Sequence, residues 1–348
     1  MTADEPGTRV PGSGSRAPGG SGVAYSPLAR PTARRGARVV ERIAVLVFRS
    51  ASAMAARIPA RAADLLVRVA FRIGYHAWPP KRRIIHRNAS RILRLPEDDP
   101  AVGRLARDIY TGYGRFTLEL LRLPHAPEDE PLRLLPGDGP AHTAFLAAWD
   151  RASARGTGVI AVSGHIGSID LFAGSYALRG YPTYGLADDT AFPELFDLLN
   201  RQRRRWGLEI IPWRNLREIF RVMRAPAILG MVVDWGYRPD DLPVRLFGSW
   251  TTLPAGPATL AARSGAVILP VASIRQADGT YRSVAAEAIE VPDGSPAAIL
   301  AATQRIADAL EALVRPDPRQ WFAFKPLWPA TDAEGRALEA RAREIAAG

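Results

Sequence analysis

The stretch Gly158-Val-Ile-Ala-Val-Ser-Gly-His-Ile-Gly-Ser-Ile-Asp170 decides how the chain is read. Val159 to Val162 is a short, uninterrupted apolar run, as expected of a strand buried on both faces. Gly164 and Gly167 allow a tight turn and a close approach of backbone or substrate. Ser168 to Leu178 then reads as a helix. The result is a strand, a glycine turn and a helix, with His165 directly after the strand.

The pattern repeats downstream. Extended segments are expected at Thr183–Leu186, Leu208–Pro212, Ala227–Asp234, Val267–Ala272 and Tyr281–Ile289. Helices are expected at Phe192–Trp206, Leu216–Met223, Pro254–Ser264 and Pro296–Val314, with another at His142–Ala154 upstream. Strands alternating with helices predict an α/β layer: a sheet flanked by helices.

Upstream of residue 125 the character is helical. Val40, Ile43, Ala44, Val47 and Phe48 recur at helical spacing, with Arg42 and Arg49 between them. From Ala62 to Tyr75, Leu65, Leu66, Val69 and Ile73 fall on one side and Arg61, Arg68 and Arg72 on another. Neither run is apolar enough to span a bilayer. Both suit an anionic membrane surface, and both equally suit a helical cap with solvated arginines. Arg82–Leu95 and Ala101–Leu123 complete the region, and Pro124–Pro140 reads as a loop. The organisation expected is a disordered basic tail over 1–37, a helical membrane-associating region over 38–125, an α/β core over 126–330 and a C-terminal helix or tail over 331–348. The tail is rich in Gly, Pro, Ser and Arg and lacks an apolar period.

The charge is uneven. Residues 1–95 hold 18 of the 46 basic residues and four of the 35 acids, so the basic excess is confined to the front of the chain. Only Lys81 and Lys325 are lysine. The chain has no cysteine, which excludes a disulfide scaffold, a thiol nucleophile and a thiolate metal site. It has no G-x-S-x-G, no phosphate-binding P-loop, no G-x-G-x-x-G after a strand and no H-E-x-x-H. No metal or redox cofactor is implied.

His165 and Asp170 carry the chemistry that remains. A histidine titrating near neutrality can take a proton from a hydroxyl, and a carboxylate on its other ring nitrogen fixes the tautomer. A capped turn with a packing histidine fits the same residues. Asp234, at the end of a strand, is either a second acidic site residue facing a substrate or a cap. Arg201 to Arg205 is a basic run in which Arg203 and Arg204 are the candidates for phosphate contact, or else a solvated helix face.

His165-Ile-Gly167-Ser-Ile-Asp170 resembles the H-x4-D/E motif of glycerolipid acyltransferases. The wider context is most similar to bacterial lipid A lauroyl/myristoyl acyltransferases, a family that includes phosphatidylinositol mannoside acyltransferases. Val232-Val-Asp234, Val244-Arg-Leu-Phe247-Gly248, Pro254-Ala-Gly-Pro-Ala258, Arg263-Ser-Gly265, Leu269-Pro-Val271 and Trp321 to Lys325 match further blocks of that family in order, and Asn88 fits its N-terminal region. Ser168 and Ile169 depart from the family's usual Asn-Trp.

The resemblance implies a glycerolipid-acyltransferase-like mixed sheet flanked by helices. It implies transfer of an acyl group from a thioester co-substrate, acyl-CoA or acyl carrier protein, to a lipid or glycolipid hydroxyl. His165 would be the general base and Asp170 its partner, with Gly167, Arg203, Arg204 and Asp234 as substrate contacts. Backbone N–H groups after Gly167, or an arginine, would stabilise the oxyanion. The partners expected are membrane lipids and the acyl donor, without nucleic acid, at the cytoplasmic face of the inner membrane. The competing reading is a non-catalytic basic protein that binds membranes or nucleic acid, which leaves the α/β body unexplained.

Overall fold

The computed structural model describes residues 35–137, 139–190 and 192–347. The basic tail expected over 1–37 lies outside these residues except for 35–37, which belong to the first helix. Helices α1 (Arg35–Arg57), α2 (Ala60–Ala77), α3 (Pro79–Leu93) and α4 (Pro100–Arg122) form the N-terminal region. Proline opens both α3 and α4, where a missing N–H costs nothing, and the Asp99 carboxylate accepts from the Ala101 N–H at 2.7 Å. The expected loop that follows contains a short helix, α5 (Glu130–Leu134), and leads to α6 (Pro140–Ser153).

The α/β body then runs β1 (Val159–Ser163), α7 (Ile169–Leu178), β2 (Thr183–Ala187), α8 (Pro193–Arg205), β3 (Leu208–Pro212), α9 (Leu216–Val222) and β4 (Ile228–Val232). It continues through β5 (Leu242–Leu246), β6 (Ser249–Leu253), α10 (Gly256–Ser264), β7 (Val267–Arg275), β8 (Tyr281–Ala285), α11 (Pro296–Val314) and α12 (Asp332–Ala347). Six strands form one sheet in the order β3-β2-β4-β1-β7-β8. All its pairings are parallel except β7 with β8. The α/β class holds, as a mixed sheet flanked by helices.

β1 is central and wholly buried, and its alternate side chains serve the two faces of the sheet. Ile160 and Val162 join the core packed with α3, α4, α10 and α11, whereas Val159 and Ala161 join the core packed with α6 and α7. β5 and β6 form a separate antiparallel hairpin that was not expected as an element. In β5 the apolar Leu242, Val244 and Leu246 alternate with Pro243 and Arg245, and the turn between the strands carries Phe247 at φ 50°.

The amphipathic helices do not bury their apolar sets. On α1, Val40, Ile43, Leu46, Val47 and Met54 are exposed, and on α2 so are Leu65, Leu66, Val69 and Ile73. The face of α1 turned to the body is marked by Glu41, Val45, Ser52 and Ala55. Glu41 Oε1 accepts from the backbone N–H of Glu194 at 2.6 Å, satisfying a free donor in the first turn of α8. Among the described residues no helix is long and apolar enough to cross a membrane.

Candidate active site

In the sheet register Ser163 of β1 lies beside Val232 of β4. His165 and Asp234, each two residues past its strand, therefore emerge side by side at the carboxyl edge of the sheet, where α/β folds place their sites. His165 Nδ1–H donates to Asp234 Oδ1 at 2.7 Å, and the backbone N–H of His165 donates to Asp234 Oδ2 at 2.8 Å. The indole N–H of Trp321 donates to the same Oδ2 at 2.7 Å. The His165 side chain is 36% exposed and that of Asp234 1%.

The electrostatics follow from this packing. Burial alone would raise Asp234, but the charge and hydrogen bonds of His165, with the Trp321 donor, outweigh it and hold the carboxyl below its ordinary value. Burial alone would lower His165, but the Asp234 carboxylate overcomes that and raises it, while Lys325 pulls it down. With Nδ1 bound to an acceptor-only carboxylate, Nε2 is the ring atom left for proton transfer.

The acid on His165 is thus Asp234, and the expectation that Asp170 orients the imidazole is corrected. Asp170 sits in the first turn of α7 and takes a two-pronged hydrogen bond from Arg203 of α8, Nε to Oδ1 at 2.8 Å and Nη2 to Oδ2 at 3.1 Å. Both side chains are largely buried, so the motif acid holds an arginine rather than His165. Asp234 is corrected as a substrate contact, since its carboxylate is enclosed and already receives three donors. Arg203 lines a cavity shared with His165 and Asp170, whereas Arg204 is exposed and does not line it.

Gly167 has φ +57°, and a Cβ there would fall 1.6 Å from the Ser273 carbonyl oxygen of β7, so the turn admits only glycine. Its N–H donates to the Gln320 carbonyl at 3.0 Å, and the Ser168 N–H to the Ser273 carbonyl at 3.3 Å. Of the backbone N–H groups after Gly167 expected as oxyanion donors, that of Ser168 is therefore engaged within the fold.

The segment after α11 closes over the dyad, which the sequence did not indicate beyond the matched Trp321-to-Lys325 block. Besides the Trp321 bond to Asp234, the Phe322 N–H donates to the His165 carbonyl at 2.8 Å. Asn88 of α3 is buried and its Nδ2 donates to the carbonyls of Ala323 and Lys325, both at 2.9 Å. Lys81 Nζ donates to the Phe324 carbonyl between them at 3.2 Å. Trp235 stands edge-on to the His165 ring with centroids 5.6 Å apart.

Two cavities meet at His165. One, of about 220 Å³, runs between α7 and the sheet and is mainly apolar, lined by Phe172, Leu186, Leu208 and Met231 with Asp170 and Arg203. The other, also about 220 Å³, is bounded by Tyr113, Phe116, Phe322, Trp235 and Lys325. Among the described residues no three His, Asp or Glu side chains gather as a metal site would need.

The family model for bacterial lipid A biosynthesis acyltransferase matches residues 41–330. The chain belongs to that family. The matched span takes in all six strands of the sheet, the His165–Asp234 pair and the segment that closes over it. Among curated relatives, this acyltransferase is 28% identical over 291 residues to a phosphatidylinositol mannoside acyltransferase of Mycobacterium tuberculosis, covering 80% of this chain and 88% of the relative. It is 27% identical over 261 residues to the protein of the same description from Mycolicibacterium smegmatis, covering 72% and 81%.

Proposed function

We propose that this acyltransferase moves a fatty acyl group from a thioester donor to a hydroxyl of a membrane glycolipid, with His165 as general base and Asp234 as its partner. The observation that carries this reading is the pair itself: an imidazole bound through Nδ1 to an ionised, buried carboxylate, beside an apolar cavity suited to an acyl chain. The relatives named for phosphatidylinositol mannoside favour an acceptor of that class over lipid A.

The reaction needs no enzyme nucleophile. His165 Nε2 takes the proton of the acceptor hydroxyl as its oxygen bonds to the thioester carbonyl carbon, and the carbonyl electron pair moves to oxygen. Asp234 stabilises the imidazolium so formed. The tetrahedral intermediate collapses, the carbon–sulfur bond breaks, and the leaving thiolate takes the proton back from the imidazolium. Ester and free thiol are the products, and His165 is again neutral. Arg203, bound two-pronged by Asp170, lines the apolar cavity beside His165 as part of a neutralised pair.

We also propose that the protein sits peripherally on the bilayer through α1 and α2. Their exposed apolar residues and their arginines fit an anionic lipid surface. The test of the activity is incubation with labelled acyl-CoA, or labelled acyl carrier protein, and phosphatidylinositol mannosides in detergent. The expected product is an acylated glycolipid that the His165→Ala protein does not form. Acylation that persists in that variant, or none with either donor, overturns the reading.

A further inference from the structure

We propose that Lys325 is the counter-charge of this site and stabilises the negative charge that attack places on the thioester carbonyl oxygen. The inference rests on the acyl-transfer reading above and adds a residue to it.

Three observations converge on Lys325. Its side chain lines the cavity that also exposes His165, and its Nζ lies 5.4 Å from the centre of the Trp235 ring, the same indole that stands against His165. Its ammonium makes no ion pair with any carboxylate among the described residues. An exposed cation with no acid partner, held on an aromatic face in a cavity otherwise walled by Tyr113, Phe116, Phe322 and Phe324, is a charge kept for something that enters the cavity.

The backbone that carries Lys325 is held in place from a distance. Asn88 grips the carbonyls of Ala323 and Lys325, and Lys81 grips that of Phe324. Composition sharpens the point. Of 46 basic residues only these two are lysine, and both meet at this one segment. A chain so biased to arginine has here a compact point charge in place of a planar fork.

The charges around His165 are few. Asp234 approaches from the tip of β4 and raises its basicity, and Lys325 lowers it. Asp170 of α7 and Arg203 of α8 line the shared apolar cavity as a mutually neutralised pair, and Tyr113 of α4 lines the other. Among the described residues lining the two cavities, Lys325 is therefore the cation without an acid partner. As the acceptor oxygen attacks and the carbonyl oxygen gains charge, that cation gains an interaction that the ground state lacks, which is the condition for lowering the barrier.

The test uses Lys325→Met, which keeps the length and removes the charge, and Lys325→Arg, which keeps a charge. In the full-length protein, the His165 imidazole is titrated by NMR, and kcat is measured across pH. In Lys325→Met the His165 midpoint is expected to rise by about half to one pH unit. The kcat plateau above that midpoint is expected to fall about tenfold or more. Lys325→Arg should hold the midpoint near the parent's and recover part of kcat. An unmoved midpoint in a folded Lys325→Met protein overturns the proposal, and so does a moved midpoint with an unchanged plateau. The titration does not depend on the reaction. If the midpoint moves while the parent protein acylates no acceptor, the charge placement stands and the acyl-transfer reading is what has failed.

Discussion

Asn88 and Lys325 are 237 positions apart, and Asn88 Nδ2 donates to the Lys325 carbonyl at 2.9 Å. The same amide reaches the Ala323 carbonyl at 2.9 Å, and its oxygen accepts from the Leu327 N–H at 3.4 Å. One buried side chain of the N-terminal helices thereby fixes the segment that closes over the dyad. Asn88→Ala leaves these backbone groups unpaired and should cost about 2–4 kcal/mol of stability. Urea denaturation checks this, and kcat should fall even under conditions where the variant is fully folded.

The dyad predicts a pH dependence with a definite sign. Only neutral His165 accepts a proton, and its folded-state pKa is raised, so activity should fall as pH drops through a midpoint above the ordinary histidine value of about 6.5. Asp234→Asn removes the charge that raises it, so the midpoint should move to lower pH. Turnover should fall about 10³–10⁴-fold at the plateau, because the amide can hold the ring in the wrong tautomer. A kcat/KM profile of both proteins checks the two effects together.

Asp170→Asn should behave differently. The His165 midpoint should stay near the parent's, because Asp170 does not touch the ring. Breaking the pair with Arg203 should cost about 2–3 kcal/mol, and a double-mutant cycle with Arg203→Gln should show most of that as coupling.

Gly167→Ala should be among the most damaging single-methyl changes in the core. The residue is left-handed and the added carbon meets the Ser273 carbonyl oxygen, so a loss of about 2–4 kcal/mol is expected. Thermal unfolding checks it, with Gly139→Ala as a control for positive φ in open space.

The membrane reading separates into two measurable parts. Replacing Leu65, Leu66, Val69 and Ile73 by Ser should remove the α2 share of the salt-insensitive part of vesicle binding. Arg61→Gln with Arg72→Gln should weaken the salt-sensitive part by about 1 kcal/mol per arginine on anionic vesicles. Arg68 is the weaker probe, since Asp64 already neutralises it at 3.0 Å. Sedimentation with vesicles at several salt concentrations reports both, and binding that neither set alters would leave α2 as a cap only.

The sequence by itself determined most of the elements and the place of His165. A buried apolar run, a glycine turn and a helical period are local properties, so β1, α7 and the position of His165 follow from residues within a few turns of one another. Tertiary structure decided the rest. His165 and Asp234 are 69 positions apart and meet only because β1 and β4 are neighbours in parallel register, a pairing that no local pattern encodes. Asp170, five positions from His165, is close in sequence yet lies in the first turn of α7, where its carboxylate is claimed by Arg203 of α8. The periodicity of α1 and α2 declared an apolar face but not its direction, because amphipathicity records that a face exists and only packing decides whether protein or solvent meets it. The β5–β6 hairpin likewise depends on packing more than on local pattern. Its strands are only five residues each, one of them carrying Pro243, which cannot donate to a ladder, and they are held in place by contacts with α11 and α12 far along the chain.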